Sequence, residues 1–195
     1  MIRANIQTFF PHHLSNCITT SSSLYVADYT EQTKPSPINC GIVFNNLPPI
    51  DIDYFTVNNP RDLNIDGIPF DDSSFTRPNR STLSQCECVI YPHSSNGNSW
   101  ILFLELKYSS KPKNNEKNLN KARKQLFKTQ YYYKSQGVFN RNNTCYLLAS
   151  LPMQRPPFVN ISLTQPYLSA MKKRHNVVIR FLNSVEIIND REIRV

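Results

Sequence analysis

Residues 100–108 read WILFLELKY and residues 86–91 read CECVIY, with Asn96-Gly97 in the polar stretch His93–Ser99 between them. Both runs are rich in β-branched and aromatic residues, so each predicts a strand. Asn-Gly between such runs is a strong short hairpin signal. The longer run is apolar at every position through Leu104, which predicts a central strand buried on both faces. Its last third then places charges in that setting. Side chains alternate along a strand, so Glu105 and Lys107 share one face and Leu106 takes the other. Glu87 is flanked by Cys86 and Cys88 and followed by Val89-Ile90, so it is a second carboxylate in apolar surroundings. Such charges cost several kcal/mol to bury unless they are paired or hold a metal.

Register is the difficulty. A two-residue turn at Asn96-Gly97 pairs Ser95 with Asn98 and sets Glu87 opposite Leu106, on the wrong face. A slip of one residue sets Glu87 opposite Glu105. An acid pair beside a lysine therefore requires a longer loop or a bulge in this hairpin.

Outward from the hairpin, Ser109–Asn115 reads as a polar loop. A helix is predicted over about 116–134, with Leu119, Ala122, Leu126, Thr129 and Tyr133 as its core stripe and Gly137 closing it. Cys145–Ser150 predicts a third core strand ended by Pro152. Gln165–Arg174 predicts a short helix with Pro166 at its start, and Val177–Leu182 a fourth strand. Val185–Ile188 and Glu192–Val195 form a closing hairpin around Asn189-Asp190. The order predicts an α/β (α+β) sandwich around one sheet. The first 80 residues hold short apolar pieces between Pro, Asn and Ser clusters, and periodicity places no element there. Length suits a single domain over 1–195, with an irregular part at 1–80 and a core at 84–195.

The chain carries 22 Lys and Arg against 14 Asp and Glu, a net charge of +8, which favours polyanionic partners. From Lys107 to Lys134 there are nine basic residues against one acid, Glu116. Lys117, Lys121, Gln125 and Lys128 fall at steps of 4, 4 and 3 and line one helix face. With Lys124 added, these lysines are the expected contacts for a phosphate backbone. The five cysteines do not make a complete disulfide framework. No apolar run is long enough to span a membrane, and the N-terminal residues lack a secretory pattern, so the expected setting is cytoplasmic. Three further features have ordinary readings beside functional ones. Tyr131-Tyr132-Tyr133 suits base stacking, but also core packing. His12-His13 with Cys17 and Cys40 matches no standard zinc spacing. Asp71-Asp72 before Ser-Ser is a turn or cap as readily as an extra acid.

Glu87 followed by Glu105-Leu106-Lys107 resembles the PD-(D/E)xK, or restriction-endonuclease-like, nuclease superfamily, in which an acid on one strand precedes acid-x-Lys on the next. The resemblance covers residues 84–195 and includes the strand, hairpin, strand, helix, strand, helix, strand order. The first acid is usually Asp after Pro, and here it is Glu after Cys86. The resemblance implies a central mixed sheet flanked by helices and a Mg²⁺-dependent (or Mn²⁺-dependent) deoxyribonuclease, with restriction or anti-phage defence as one setting. Glu87, Glu105 and the main-chain carbonyl of Leu106 would be the metal ligands, with Lys107 beside them and Gln125 reaching the site from the helix. It also implies a homodimer or a companion protein where both DNA strands are cut. The alternatives are a module of the same fold that binds nucleic acid without cutting, and an interaction subunit of a larger complex.

Overall fold

The computed structural model describes residues 1–34, 41–79, 81–158 and 163–195. Its elements are α1 (Ile2–Phe9), β1 (Ile18–Thr20), β2 (Leu24–Asp28), α2 (Thr30–Thr33), β3 (Ile42–Asn45), β4 (Phe55–Asn58), β5 (Ile65–Pro69), β6 (Cys88–Pro92), β7 (Ile101–Leu106), α3 (Asn115–Ser135), β8 (Cys145–Ser150), α4 (Gln165–His175), β9 (Val177–Phe181), β10 (Ser184–Ile187) and β11 (Ile193–Arg194). They build an α+β structure with two mixed sheets. One sheet runs β1-β5-β6-β7-β8-β9, antiparallel up to β7 and parallel from β7 to β9. The other runs β11-β10-β4-β2-β3.

Alternation explains the layering. Val89, Tyr91, Ile101, Phe103, Leu147 and Ala149 point to one face of the larger sheet and pack with residues of α1 and α3. Cys88, Ile90, Trp100, Leu102, Leu104 and Leu148 point to the other face and meet Leu24, Val26, Phe55, Val57 and Val185 of the smaller sheet. β6, β7 and β8 are buried at every position. That is why residues 101–104 read as an unbroken apolar run. The sheets approach most closely where Phe44 of β3 meets Gly67 of β5; a Cβ on Gly67 would lie 3.0 Å from the Phe44 ring.

Several expectations hold closely. The stripe Leu119, Ala122, Leu126, Thr129 and Tyr133 is the buried face of α3. Gly137 follows the helix with φ +75°, a left-handed conformation that suits glycine. Tyr133 is the buried member of the three tyrosines, whereas Tyr131 is exposed. The closing hairpin forms, with β10 antiparallel to β11. The first 80 residues hold regular structure that periodicity does not show. Their strands β1 and β5 widen the main sheet, and β2, β3 and β4 build the second sheet with the C-terminal hairpin. Short strands of three to five residues between turns give too few positions for a period to register. Among the described residues no helix is long and apolar enough to cross a membrane.

Candidate active site

The β6–β7 ladder pairs Cys88 with Leu104, Val89 with Phe103 and Ile90 with Leu102. The ladder ends at Cys88 and is one residue out of step with the register that would set Glu87 opposite Leu106. The two-residue turn does not form. Neither Asn96 nor Gly97 has the positive φ that a type I′ turn needs. Asn96 instead closes on itself: its Oδ1 accepts from Asn98 N–H at 2.8 Å and its N–H donates to Ser99 Oγ at 2.9 Å. Buried Asn143 clamps the loop from outside, donating from Nδ2 to the carbonyls of Asn96 (3.1 Å) and Ser99 (2.8 Å). Strand pairing is looser at the other end, where the Glu87 N–H reaches the Leu104 carbonyl (3.0 Å) and the Glu87 carbonyl accepts from Phe70 N–H (2.8 Å).

The side chain of Glu105 is fully buried, and one oxygen, Oε1, is ion-paired with Lys107 Nζ. Its Oε2 is buried and accepts no hydrogen bond from an N–H or hydroxyl donor among the described residues. Glu87 is half-buried, and its carboxyl lies close enough to that of Glu105 for the two to share a proton. Burial first, and the negative charge of Asp28 next, push Glu87 up to about 7, against the pull of Lys107. Burial and the charge of Glu87 push Glu105 well above the ordinary carboxyl range, opposed by Lys107 and Lys121. Two buried acids that repel each other beside one lysine form a site with unmet demand for positive charge.

The helix α3 fixes how the chain enters this site. Gln125 Nε2 donates to the Gln85 carbonyl at 2.8 Å, and Thr129 Oγ1 accepts from Cys86 N–H at 2.8 Å while donating to the Gln125 carbonyl at 3.1 Å. Both polar groups of the Gln85–Cys86 peptide unit, just before Glu87, are thereby tied to one helix face. Glu87, Gln85, Gln125, Thr30, Ile42 and Asp71 line a cleft of about 500 Å³. A larger groove of about 1000 Å³ runs along α4, β9 and the C-terminal hairpin, and contains neither carboxylate.

Glu87, Glu105, Lys107 and Gln125 are thus brought to one end of the sheet. The side chain of Leu106 is buried between the two sheets and points away from the carboxyls. Lys121 acts on both carboxyls through its charge. Lys117, Lys124 and Lys128 are exposed along α3, and none of the four lysines forms an ion pair among the described residues. Asp28, which sequence reading missed, comes from the end of β2 in the second sheet. Its Oδ1 accepts from Thr30 N–H (2.9 Å) and Thr30 Oγ1, and its N–H donates to Tyr108 Oη at 3.2 Å. Tyr108 donates in turn to the Asp53 carbonyl at 2.7 Å, tethering the second sheet to the end of β7. No local pattern marks Asp28, because its neighbourhood exists only once the two sheets pack.

The ordinary readings of the remaining motifs hold. Asp71 Oδ1 accepts from Ser73 N–H and from the Ser73 and Ser74 hydroxyls, a turn closure. Burial raises its pKa, but these bonds outweigh it and hold the carboxyl below its usual range. His13 is buried among Phe10, Phe70, Phe75 and Tyr133. Its Nε2 donates to the Ser74 carbonyl at 2.7 Å, which leaves Nδ1 to accept from Tyr133 Oη at 2.8 Å. Burial lowers its pKa to about 4. A histidine with both nitrogens engaged in the core is no zinc ligand, and Cys40 lies outside the described residues.

Among the described residues no group of three or more His, Cys, Asp or Glu side chains is arranged to hold a metal ion. The donor set at this site is different: two carboxylates, with amide and main-chain oxygens nearby. Hard divalent cations favour oxygen donors of this kind. The Oε2 of fully buried Glu105, which accepts no N–H or hydroxyl hydrogen bond, is the atom such a cation would satisfy. Comparison with family models, with curated proteins and with solved structures finds no match for this chain.

Proposed function

We propose that this chain is a divalent-metal-dependent nuclease of the restriction-endonuclease-like type, hydrolysing phosphodiester bonds of DNA. One observation carries the reading. The carboxyls of Glu87, just before β6, and Glu105, on β7, interact with each other beside Lys107 in a setting that buries Glu105 completely. The element order supports it. β5, β6 and β7 form an antiparallel meander, α3 crosses over, and β8 returns parallel to β7.

Glu87 and Glu105, with the Leu106 carbonyl, would hold Mg²⁺ or Mn²⁺, which supplies polarisation of the scissile phosphoryl group. Lys107 is ion-paired with Glu105, where its ammonium can steady charge developing on phosphoryl oxygens. The unpaired lysines of α3 give the flank of the cleft a positive surface along which a phosphate backbone can lie.

The test is incubation with supercoiled plasmid and with single-stranded DNA, in Mg²⁺, Mn²⁺ or EDTA, beside Glu105→Ala and Lys107→Ala. Metal-dependent strand cleavage lost in both variants is the expected result. Metal-independent binding without cleavage, unchanged by either substitution, would instead show a binding module of the same fold.

A further inference from the structure

Beside the carboxyl pair stand two amides whose orientation is fixed. Gln125 Nε2 donates to the Gln85 carbonyl at 2.8 Å, and Gln85 Nε2 donates to the Asp71 carbonyl. Turning either amide over would set oxygen against oxygen, so these bonds assign which end is which. Each side chain therefore directs its Oε1 elsewhere. Both Oε1 atoms are buried and have no partner, and both residues line the cleft that Glu87 lines. Leaving a buried acceptor unmade costs about 1–3 kcal/mol. Two such acceptors on residues that line the same cleft as Glu87 mark a place shaped for something that donates.

Chemistry narrows the donor. A phosphate or carboxylate offers only acceptors and is rejected. A bare cation is satisfied first by the charged carboxylates. Mg²⁺ gives up its water reluctantly and keeps several water molecules when only one or two carboxylates bind it. Those waters are polarised donors that neutral amide oxygens can receive. We propose that Gln85, with Gln125, holds the hydration shell of a divalent cation bound by Glu87 and Glu105, which makes Gln85 a positioning residue of the site. The inference rests on the metal-dependent reading given above. The preceding link is local: Gln85 stands two residues before Glu87, so one short stretch of chain supplies a direct ligand and an outer acceptor.

Two substitutions separate this role from simple bracing. Gln85→Leu removes both the amide donor and the acceptor. Gln85→Glu removes the donor to Asp71 but keeps an oxygen facing the cleft. Mg²⁺ binding is measured by calorimetry at pH 8, without DNA, alongside Glu105→Gln. The expected result is about tenfold weaker Mg²⁺ binding in Gln85→Leu, with Gln85→Glu at or above wild-type affinity and Glu105→Gln severely impaired. Equal loss in both Gln85 variants would overturn the proposal and make Gln85 a brace for the Asp71 turn. No loss in either would overturn it too, leaving the amide oxygens to ordinary solvent. Wild-type protein that binds no Mg²⁺, or Glu105→Gln that binds it normally, would instead refute the metal site on which the proposal rests.

Discussion

Replacing Glu87 by Gln should stabilise the metal-free protein at alkaline pH and leave it little changed at acid pH. In the fold the Glu87 carboxyl is raised from an ordinary 4.5 to about 7, chiefly by burial and then by Asp28. Below pH 4.5 the folded and unfolded chains both hold the proton, and the group contributes nothing. Between 4.5 and 7 the unfolded chain releases it while the folded chain keeps it, so wild-type stability falls as pH rises. Above 7 the full penalty is in place. At about 1.4 kcal/mol per pKa unit the displacement is worth about 3 kcal/mol, and screening at the cleft mouth trims this to about 1–3 kcal/mol. Glu105 shares the field of Glu87, so neutralising one relieves the other with the same sign. Urea unfolding of wild type and Glu87→Gln in EDTA, at pH 5, 6, 7 and 8, measures the difference directly. Taking the difference cancels the titrating groups that do not interact with Glu87. The gap should open by about 1–3 kcal/mol between pH 5 and 8, or roughly 2–10 °C in melting temperature for a chain of this length. Saturating Mg²⁺ at pH 8 should close or reverse it, because the cation rewards the ionised carboxylate. Parallel curves at all four pH values in EDTA would refute the picture of a strained acid pair.

His13 acts in the opposite sense: burial lowers its pKa from 6.5 to about 4. The unfolded chain binds that proton first as pH falls, so about 3 kcal/mol of stability should be lost between pH 6.5 and 4. His13→Gln should flatten that limb in acid denaturation followed by circular dichroism. Gly67→Val should cost about 1–3 kcal/mol in urea unfolding, since its Cβ would sit 3.0 Å from the Phe44 ring and press the two sheets apart. Converting Lys117, Lys121, Lys124 and Lys128 together to Ala should weaken DNA binding. If all four contact phosphates, it should also reduce the slope of log affinity against log salt by about 3–4. Fluorescence anisotropy at 50–300 mM KCl would read that slope, and an unchanged value would remove α3 from the interface.

The local patterns that survive on their own are those with a strong period or an unambiguous chemistry. The α3 stripe, the apolar run of β7 and the turn at Gly137 were all legible because each depends on near neighbours in sequence. The same holds for Glu105 and Lys107, whose shared face follows from strand alternation alone. Sequence could pose the question of Glu87 but not answer it. Its facing partner depends on one residue of register, and Asn96, Ser99 and Asn143 set that register through a loop closure spanning more than 40 positions. The Asn96-Gly97 pair signals a turn, and long-range hydrogen bonds override the local preference.

Other parts of the site have no local signature at all. Asp28 reaches the carboxyl pair because a second sheet, built from strands near both ends of the chain, packs on the first and is tethered through Tyr108. The orphaned oxygens of Gln85 and Gln125 arise only when α3 and the Asp71 turn lie against the chain entering β6, using up the amide donors on main-chain carbonyls. By itself the sequence determined which residues carry charge into the core and which face of one strand they take, because alternation and burial are properties of short segments. The tertiary structure alone decided which acids meet, how far their proton affinities rise and which acceptors stay unpaired, because those depend on distances between segments far apart in the chain.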